Sequence, residues 1–427
     1  MSRSREKGPG PSQATRSPLS LPPVPGALIN RRAADRLRAG HPWVYSSDVL
    51  AVNSAAVPAG LVPVADQRGI LLGTALYSPQ SQIALRLVSR ELLSADAAWL
   101  ALLEERLRRA LRLRAEMGTP ACRLVFSEAD ELPGMIVDRY GPLVLVQILV
   151  HGLNRPEVRE LLVRVLREEV APQAIVERGD ARIAAMEGLN TAALTTLWAA
   201  DPLHPLLETT FHLNGLCFHY DARAGQKTGA FLDQRLNYAA AAGYAHGEAL
   251  DICTYQGGFA LHMAASGRCP RVTGVDVSRA ALETAERNLT ANLAANQGRI
   301  AAEVDWVEAD AFELLRDWSD AGTRYDTIVL DPPAFAKSRR AMEGALRGYK
   351  ELNLRALKMI RPGGILVTCS CSHHISGADF TATVAAAAAD ADRRVRLLER
   401  RGAAPDHPVI LSIPETEYLK CLICAVE

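Results

Sequence analysis

Little in this sequence points to a membrane, a strong global field or a disulfide scaffold. No run of roughly 18 or more apolar residues occurs in its 427 positions, so no segment reads as a membrane-spanning helix. Basic and acidic side chains cancel, 48 against 48. Any hold on nucleic acid must therefore come from local patches. Met1-Ser2-Arg3-Ser4-Arg5 leads into no apolar segment, which predicts no secretory leader. Eight cysteines, mostly inside apolar runs, predict reduced thiols in a cytoplasmic protein. Internal repeats are lacking. So is G-x-G-x-x-G, the loop on which a dinucleotide pyrophosphate rests, and this speaks against a nicotinamide dehydrogenase.

What is present centres on Ala249-Leu250-Asp251-Ile252-Cys253-Thr254-Tyr255-Gln256-Gly257-Gly258-Phe259-Ala260. An apolar strand pattern breaks at two glycines and passes into a helical pattern through His262 and Met263. Strand, turn and helix in that order place a nucleotide-type ligand at the carboxyl end of a parallel sheet. Acids close the next strand tips: Asp276 after Val272–Val275, Asp310 after Val304–Val307, Asp331 after Thr327–Leu330. Side chains from Cys253 to Gln256, Thr254 among them, crowd the loop, and only Gly257 and Gly258 are bare. An adenosine without phosphates fits that loop better than a pyrophosphate. S-adenosylmethionine is such a ligand, with its ribose on Asp276 and its amino group beside Asp251. A doubly wound domain holding some other ligand is the alternative.

Residues 1–26 are rich in Pro, Ser and Arg and predict a disordered tail. Residues 27–100 hold short strand-like runs around Trp43–Tyr45, Leu61–Val64, Ile70–Tyr77 and Ile83–Val88, which predicts a small β-barrel. Arg31, Arg32, Arg36 and Arg38 stand just ahead of Trp43. Cations beside a ring suit RNA; a solvated helix face with a core Trp is the plainer alternative. Residues 101–209 predict a small α+β domain. Its first helix, starting at Ser94, has Leu103, Leu107 and Leu111 inside and Arg106, Arg108, Arg109, Arg112 and Arg114 on a solvated side. A strand at Phe211–Leu213 would complete its sheet. From about residue 210 to 427, strands alternate with helices, which predicts right-handed crossovers and a parallel sheet.

Two strand tips carry chemistry. In Asp331-Pro332-Pro333-Ala334-Phe335-Ala336-Lys337, consecutive prolines fix φ and make a rigid lip behind the acid. Enzymes acting on an exocyclic base amine set an aromatic directly after such prolines. Ala334 holds that place here. The next tip supplies thiols: Thr368-Cys369-Ser370-Cys371-Ser372-His373-His374. Carbon 5 of a pyrimidine becomes nucleophilic once a thiolate adds at carbon 6, so a thiol at this rim suits methylation there. An ordinary thiol titrates near about 8.5, so a cation or donors must stand close, with Lys337 and His373 as candidates. Strand-end packing and a metal clip are the alternatives. The Cys-x-Cys spacing is too tight for a usual zinc pair, and no metal is expected.

These residues resemble the RlmI-like (YccW-like) family of class I ribosomal RNA cytosine-5 methyltransferases. The matching stretches are Arg38–Tyr45, Glu131–Asp138, Gly225–Arg235, the Asp251 loop, Asp331–Phe335, Thr368–His374 and Ile413–Tyr418. The resemblance implies an α/β protein: a PUA-like β-barrel, a small α+β domain and a Rossmann-like methyltransferase domain with a mostly parallel seven-stranded sheet. It implies S-adenosylmethionine held by Gln226, Phe231, Gln234, Asp251, Thr254, Gly257, Asp276, Asp310 and Asp331. Catalysis would fall to Cys369 as nucleophile and Asp331 on the base near its N3, with Cys371 as rival nucleophile. Arg32, Arg38, Trp43 and Lys337 would touch ribosomal RNA. Monomer and homodimer are both open. A base-nitrogen methyltransferase and a non-catalytic RNA-binding assembly factor remain competing functions.

Overall fold

Alternating apolar residues and turn signals build three large sheets in chain order. The computed structural model describes residues 26–53, 60–93, 96–224, 230–295, 300–336 and 339–427. The tail expected up to residue 26 (Gly26 itself excepted), and the candidates Gln226 and Lys337, lie outside them.

The first sheet has six strands, in the order Trp43–Tyr45, Ile83–Ser89, Leu71–Tyr77, Leu61–Asp66, Ala27–Ile29, Val49–Val52. Helix Arg31–Arg38 buries Ala33, Ala34 and Leu37 against it. The strands Ala27–Ile29 and Val49–Val52 are too short to show a pattern in the sequence.

The second sheet has five strands: Leu194–Ala199, Ala174–Arg178, Leu143–Ile148, Met135–Tyr140 and Ala121–Phe126. Helices Asp96–Ala115 and Pro156–Val170 pack on it through Trp99, Leu103, Leu107, Val158 and Leu162. Here the arginine reading needs correcting. Arg106 and Arg114 are buried, because they fall four and three residues from Ala110 and Leu111 on the inner face. Arg114 grips Asp130 with two bonds, 2.6 and 2.8 Å, and reaches the Asp406 carbonyl at 3.0 Å.

Phe211 is not part of that sheet. It belongs to a separate hairpin, Glu208–Leu213 with Leu216–Asp221. Asn214 and Gly215 turn it with φ of 51° and 85°, the left-handed pair a two-residue hairpin requires.

The third sheet has seven strands, labelled here β1 (Glu248–Ile252), β2 (Arg271–Asp276), β3 (Glu303–Glu308), β4 (Tyr325–Leu330), β5 (Ile360–Ser370), β6 (Val395–Arg401) and β7 (Lys420–Val426). Their order is β3-β2-β1-β4-β5-β7-β6, with β7 antiparallel to both neighbours and every other pair parallel. Six helices accompany them: α1 (Arg235–Tyr244), α2 (Gly258–Ala265), α3 (Arg279–Ala295), α4 (Ala311–Asp320), α5 (Met342–Met359) and α6 (Gly377–Asp390). Strand order reverses between β1 and β4, which opens a crevice at their carboxyl ends.

Candidate active site

The crevice is floored by the loop after β1. Asp251 ends inside the sheet, fully buried. Its Oδ2 accepts from Thr254 Oγ1 at 2.6 Å and from the Ala260 amide at 2.9 Å, while Oδ1 has no partner among the described residues. Burial pushes this carboxyl up to about 7. A buried acid with one unanswered oxygen is suited to receive an ammonium donor. Cys253 and Tyr255 both stand in the left-handed region, at φ 62° and 51°. Side-chain-bearing residues hold that conformation only when their surroundings enforce it, and such strain gathers at ligand sites.

The loop is locked to the next strand. The Tyr255 amide donates to Asp276 Oδ2 and the Ser278 amide to Oδ1, both at 2.9 Å. Asp276 is thereby aimed along the crevice, where each oxygen keeps a lone pair for a hydroxyl. Gly257, φ 81°, starts α2, and a Cβ there would sit 3.0 Å from the Trp306 ring. We expect Gly257→Ala to cost about 1–2 kcal/mol of local conformational energy and to weaken cofactor binding; calorimetric titration with S-adenosylmethionine measures it. Asp310 caps α4, its Oδ1 accepting from the amides of Phe312 (2.8 Å) and Glu313 (3.1 Å). The Phe231 ring meets Tyr255 edge-on at 5.1 Å.

Opposite stands Asp331 on the proline lip. Gln234 Nε2 donates to its Oδ2 at 3.0 Å, and Gln234 is itself held through Oε1 by Asn237 at 2.7 Å. Gln234 thus orients the acid. Burial, then the neighbouring charges of Asp233 and Asp251, push the Asp331 carboxyl up to about 8.

The two thiols part company. Cys369 lies within β5 opposite Cys421 of β7, fully buried among core side chains. Burial and Cys421 push its thiol well up, which removes thiolate character. Cys371 lies past the strand end and is half-exposed, with Sγ 3.9 Å from the Pro332 carbonyl of the lip. Alternation makes 369 and 371 share a face only while the strand continues, and it stops at Ser370.

Lys420, Tyr418 and Asp233 had no site role in the sequence analysis. Lys420 donates to Ser372 and Tyr418 carbonyls, and the Tyr418 hydroxyl donates to Asp233. A lone lysine opening an apolar run, Lys420–Val426, was the available signal.

The candidate RNA residues Arg32, Arg38 and Trp43 each make contacts within the protein. Arg32 pairs with buried Asp48 at 2.6 Å and Arg38 with Asp66 at 2.7 Å. The Trp43 Nε1 donates to Glu128 of the second domain at 2.9 Å. His41 meets Glu415 of the third at 3.0 Å. Much of this cluster joins domains and satisfies buried acids.

A family model described as an S-adenosylmethionine-dependent methyltransferase matches residues 140–420, and one described as a PUA-like domain matches 28–90. Ribosomal RNA large subunit methyltransferase I of Pseudoalteromonas translucida is 37% identical over 398 residues, covering 91% of this chain and 96% of its own. The protein of that description from Shewanella denitrificans is 38% identical over 393 residues, 90% and 95% of the two chains. Among solved structures, a SAM-dependent methyltransferase from Streptococcus mutans shares the fold with a TM-score of 0.75 at 20% identity, over 93% of this chain and 99% of its own. A methyltransferase solved with SAH aligns equally well, TM-score 0.75 at 19% identity, over 93% and 99%.

Proposed function

Because the chain belongs to the ribosomal RNA large subunit methyltransferase I family of S-adenosylmethionine-dependent enzymes, we propose that it methylates carbon 5 of a cytosine in large-subunit ribosomal RNA. The observation that carries this reading is the half-exposed Cys371 thiol at the lip beside Asp331. Cys371 replaces Cys369, which sequence alone favoured, as nucleophile. Domain limits in this reading are 26–93, 96 to about 207, and 208–427; the earlier limit at residue 100 would cut the helix Asp96–Ala115. The protein acts in the cytoplasm on ribosomal RNA, as monomer or homodimer.

Asp251 takes the amino group of the cofactor, Asp276 its ribose, and the Thr254–Gly257 loop and Phe231 flank it, with Asp310 at the far rim. When bound, the cofactor supplies an electrophilic sulfonium methyl. Asp331 holds the base: Gln234 occupies Oδ2, so the proton it retains sits on Oδ1 and is offered to cytosine N3, an acceptor. That hydrogen bond draws charge from the ring as Cys371 Sγ adds at carbon 6. Carbon 5 then takes the methyl, loses its proton to water, and the carbon–sulfur bond breaks to return the thiolate and the aromatic ring. Gln226 and Lys337 complete the cofactor and RNA contacts in this reading, with Arg32, Arg38 and Trp43 on the RNA side. Reversing Arg32 or Arg38 would also remove one arginine from buried Asp48 or Asp66, leaving Arg36 or Arg68 as the other. Arg31→Glu, on an exposed residue paired among the described residues only with exposed Asp35, is the cleaner probe of RNA affinity.

Transfer of tritiated methyl from S-adenosylmethionine to ribosomal RNA from a strain lacking this gene tests the reading. Nucleoside mass spectrometry should find 5-methylcytidine; label on a base nitrogen would end it.

The Asp331 carboxyl also sets a pH dependence. Its folded value, about 8, lies above the ordinary 3.8, so the folded state keeps a proton that the unfolded chain releases. This contribution to stability is present at acid pH and is lost as pH rises from about 4 through about 8. Activity that needs the protonated acid should fall through the same alkaline limb, and Asp331→Asn should abolish that limb while lowering kcat by about 10²–10⁴-fold. A kcat profile against pH measures both.

A further inference from the structure

Lys420 is buried, at 7% exposure, yet forms no ion pair among the described residues. Its ammonium donates to two neutral carbonyls, Ser372 at 2.7 Å and Tyr418 at 2.8 Å. Burying an unpaired cation is unfavourable, and holding two carbonyls needs only an uncharged donor. The charge itself therefore calls for a reason.

Register says where that charge goes. β7 runs antiparallel to β5 with Lys420 opposite Ser370, so its side chain extends past the strand end to the turn carrying Cys371. That turn is fixed from three sides. Ser372 Oγ lies 3.0 Å from the Tyr349 hydroxyl of α5 and accepts from the Ala336 amide of the lip at 3.3 Å, while its carbonyl takes Lys420. The residue between Ser370 and Ser372 is Cys371, 3.9 Å from the Pro332 carbonyl.

We propose that Lys420 is a positioning residue: it clamps the turn through Ser372 and its ammonium stabilises the Cys371 thiolate that adds to the base. The inference rests on the reading of Cys371 as nucleophile. In this step the Sγ proton leaves to water, the electron pair stays on sulfur beside the ammonium, and no bond to Lys420 forms. Burial pushes the Lys420 ammonium down to about 8, while Cys371 and then Glu417 act to raise it. The other polar and charged groups nearby are engaged elsewhere. The Tyr418 hydroxyl is on Asp233, the Tyr349 hydroxyl on Ser372, Arg400 on Thr381, and the His373 ring packs against Tyr418.

The test is peptide-resolved alkylation of Cys371 by iodoacetamide in the full chain, from about pH 6 to about pH 10. Peptide resolution separates it from the half-exposed Cys217 and Cys253. Wild type and Lys420→Arg should titrate below the ordinary thiol value of about 8.5. Lys420→Met and Lys420→Gln should titrate roughly one unit or more higher, which slows alkylation at neutral pH about tenfold. In the transfer assay the same two variants should lose kcat with KM for RNA unchanged. Gln keeps a donor for Ser372, so it separates charge from clamp. Folded Gln and Met variants with the wild-type midpoint would overturn the proposal. So would loss of fold in both, since the ammonium would then be a structural support. A Cys371→Ala protein that still transfers methyl groups would instead refute the nucleophile, leaving the alkylation midpoint as the measure of Lys420.

Discussion

Cys371→Ala should lower methyl transfer on the order of 10⁴-fold or more, whereas Cys369→Ala should keep activity within a few-fold of wild type. The large effect follows from chemistry: without the thiolate, carbon 5 has no means of becoming nucleophilic. The small one follows from position. Cys369 is fully buried opposite Cys421 among core side chains, sealed from a base although Gln234 and Asp331 lie close to its thiol. Its loss costs about 1 kcal/mol of packing, typical for a single core substitution. Ribosomal RNA carrying 5-fluorocytidine gives a second readout, because fluorine at carbon 5 blocks the elimination step and leaves enzyme and RNA joined. Wild type and Cys369→Ala should form that adduct; Cys371→Ala should not. An adduct that survives Cys371→Ala and vanishes with Cys369→Ala would reverse the assignment.

The largest loss of stability should come from Asp406→Ala, about 3–5 kcal/mol, the range for breaking a buried pair by removing one partner. Asp406 is fully buried. Its carboxylate accepts from Arg235 of α1, from the Arg123 amide of the second domain at 2.8 Å, and from His407. Its own carbonyl takes Arg114, which also grips Asp130. Truncation strands the Arg235 guanidinium, which is 5% exposed, and unties two domains together. Burial opposes the charge on Asp406, but His407 and Arg235 prevail and hold the carboxyl well below the usual carboxylate range. Its folded value is depressed, so its contribution is complete at neutral pH and is lost only as pH falls below about 4 toward that value. Urea unfolding at neutral pH should show a lower midpoint for Asp406→Ala with an unchanged slope. A midpoint within a few tenths of wild type would mean the network is solvent-compensated.

Much of the architecture was readable because its signals are local. The alternation of strand and helix after residue 210, the Gly257-Gly258 break and the acids Asp276, Asp310 and Asp331 at successive tips all follow from short-range periodicity and composition. They located the crevice and its cofactor. The burial of Arg106 and Arg114 was misread, and the ion pairs of Arg32 and Arg38 were not foreseen, for one reason. Composition reports how many guanidiniums a helix carries, not which acids they meet. Arg32 and Arg38 answer Asp48 and Asp66, and Arg114 answers Asp130, residues 16 to 28 positions away.

By itself, then, the sequence determined the sheet that would form, the loop suited to an adenosine, and the short segment, Cys369 to Cys371, that carries the candidate thiols. Only the tertiary structure showed that the two thiols differ, Cys369 buried and Cys371 half-exposed. Their difference depends on where β5 ends against β7 and on Lys420, which enters from 50 residues away opposite Ser370. A two-residue period says that both cysteines share a face. Register across an antiparallel pair decides which of them is sealed in the core and which opens beside the lip.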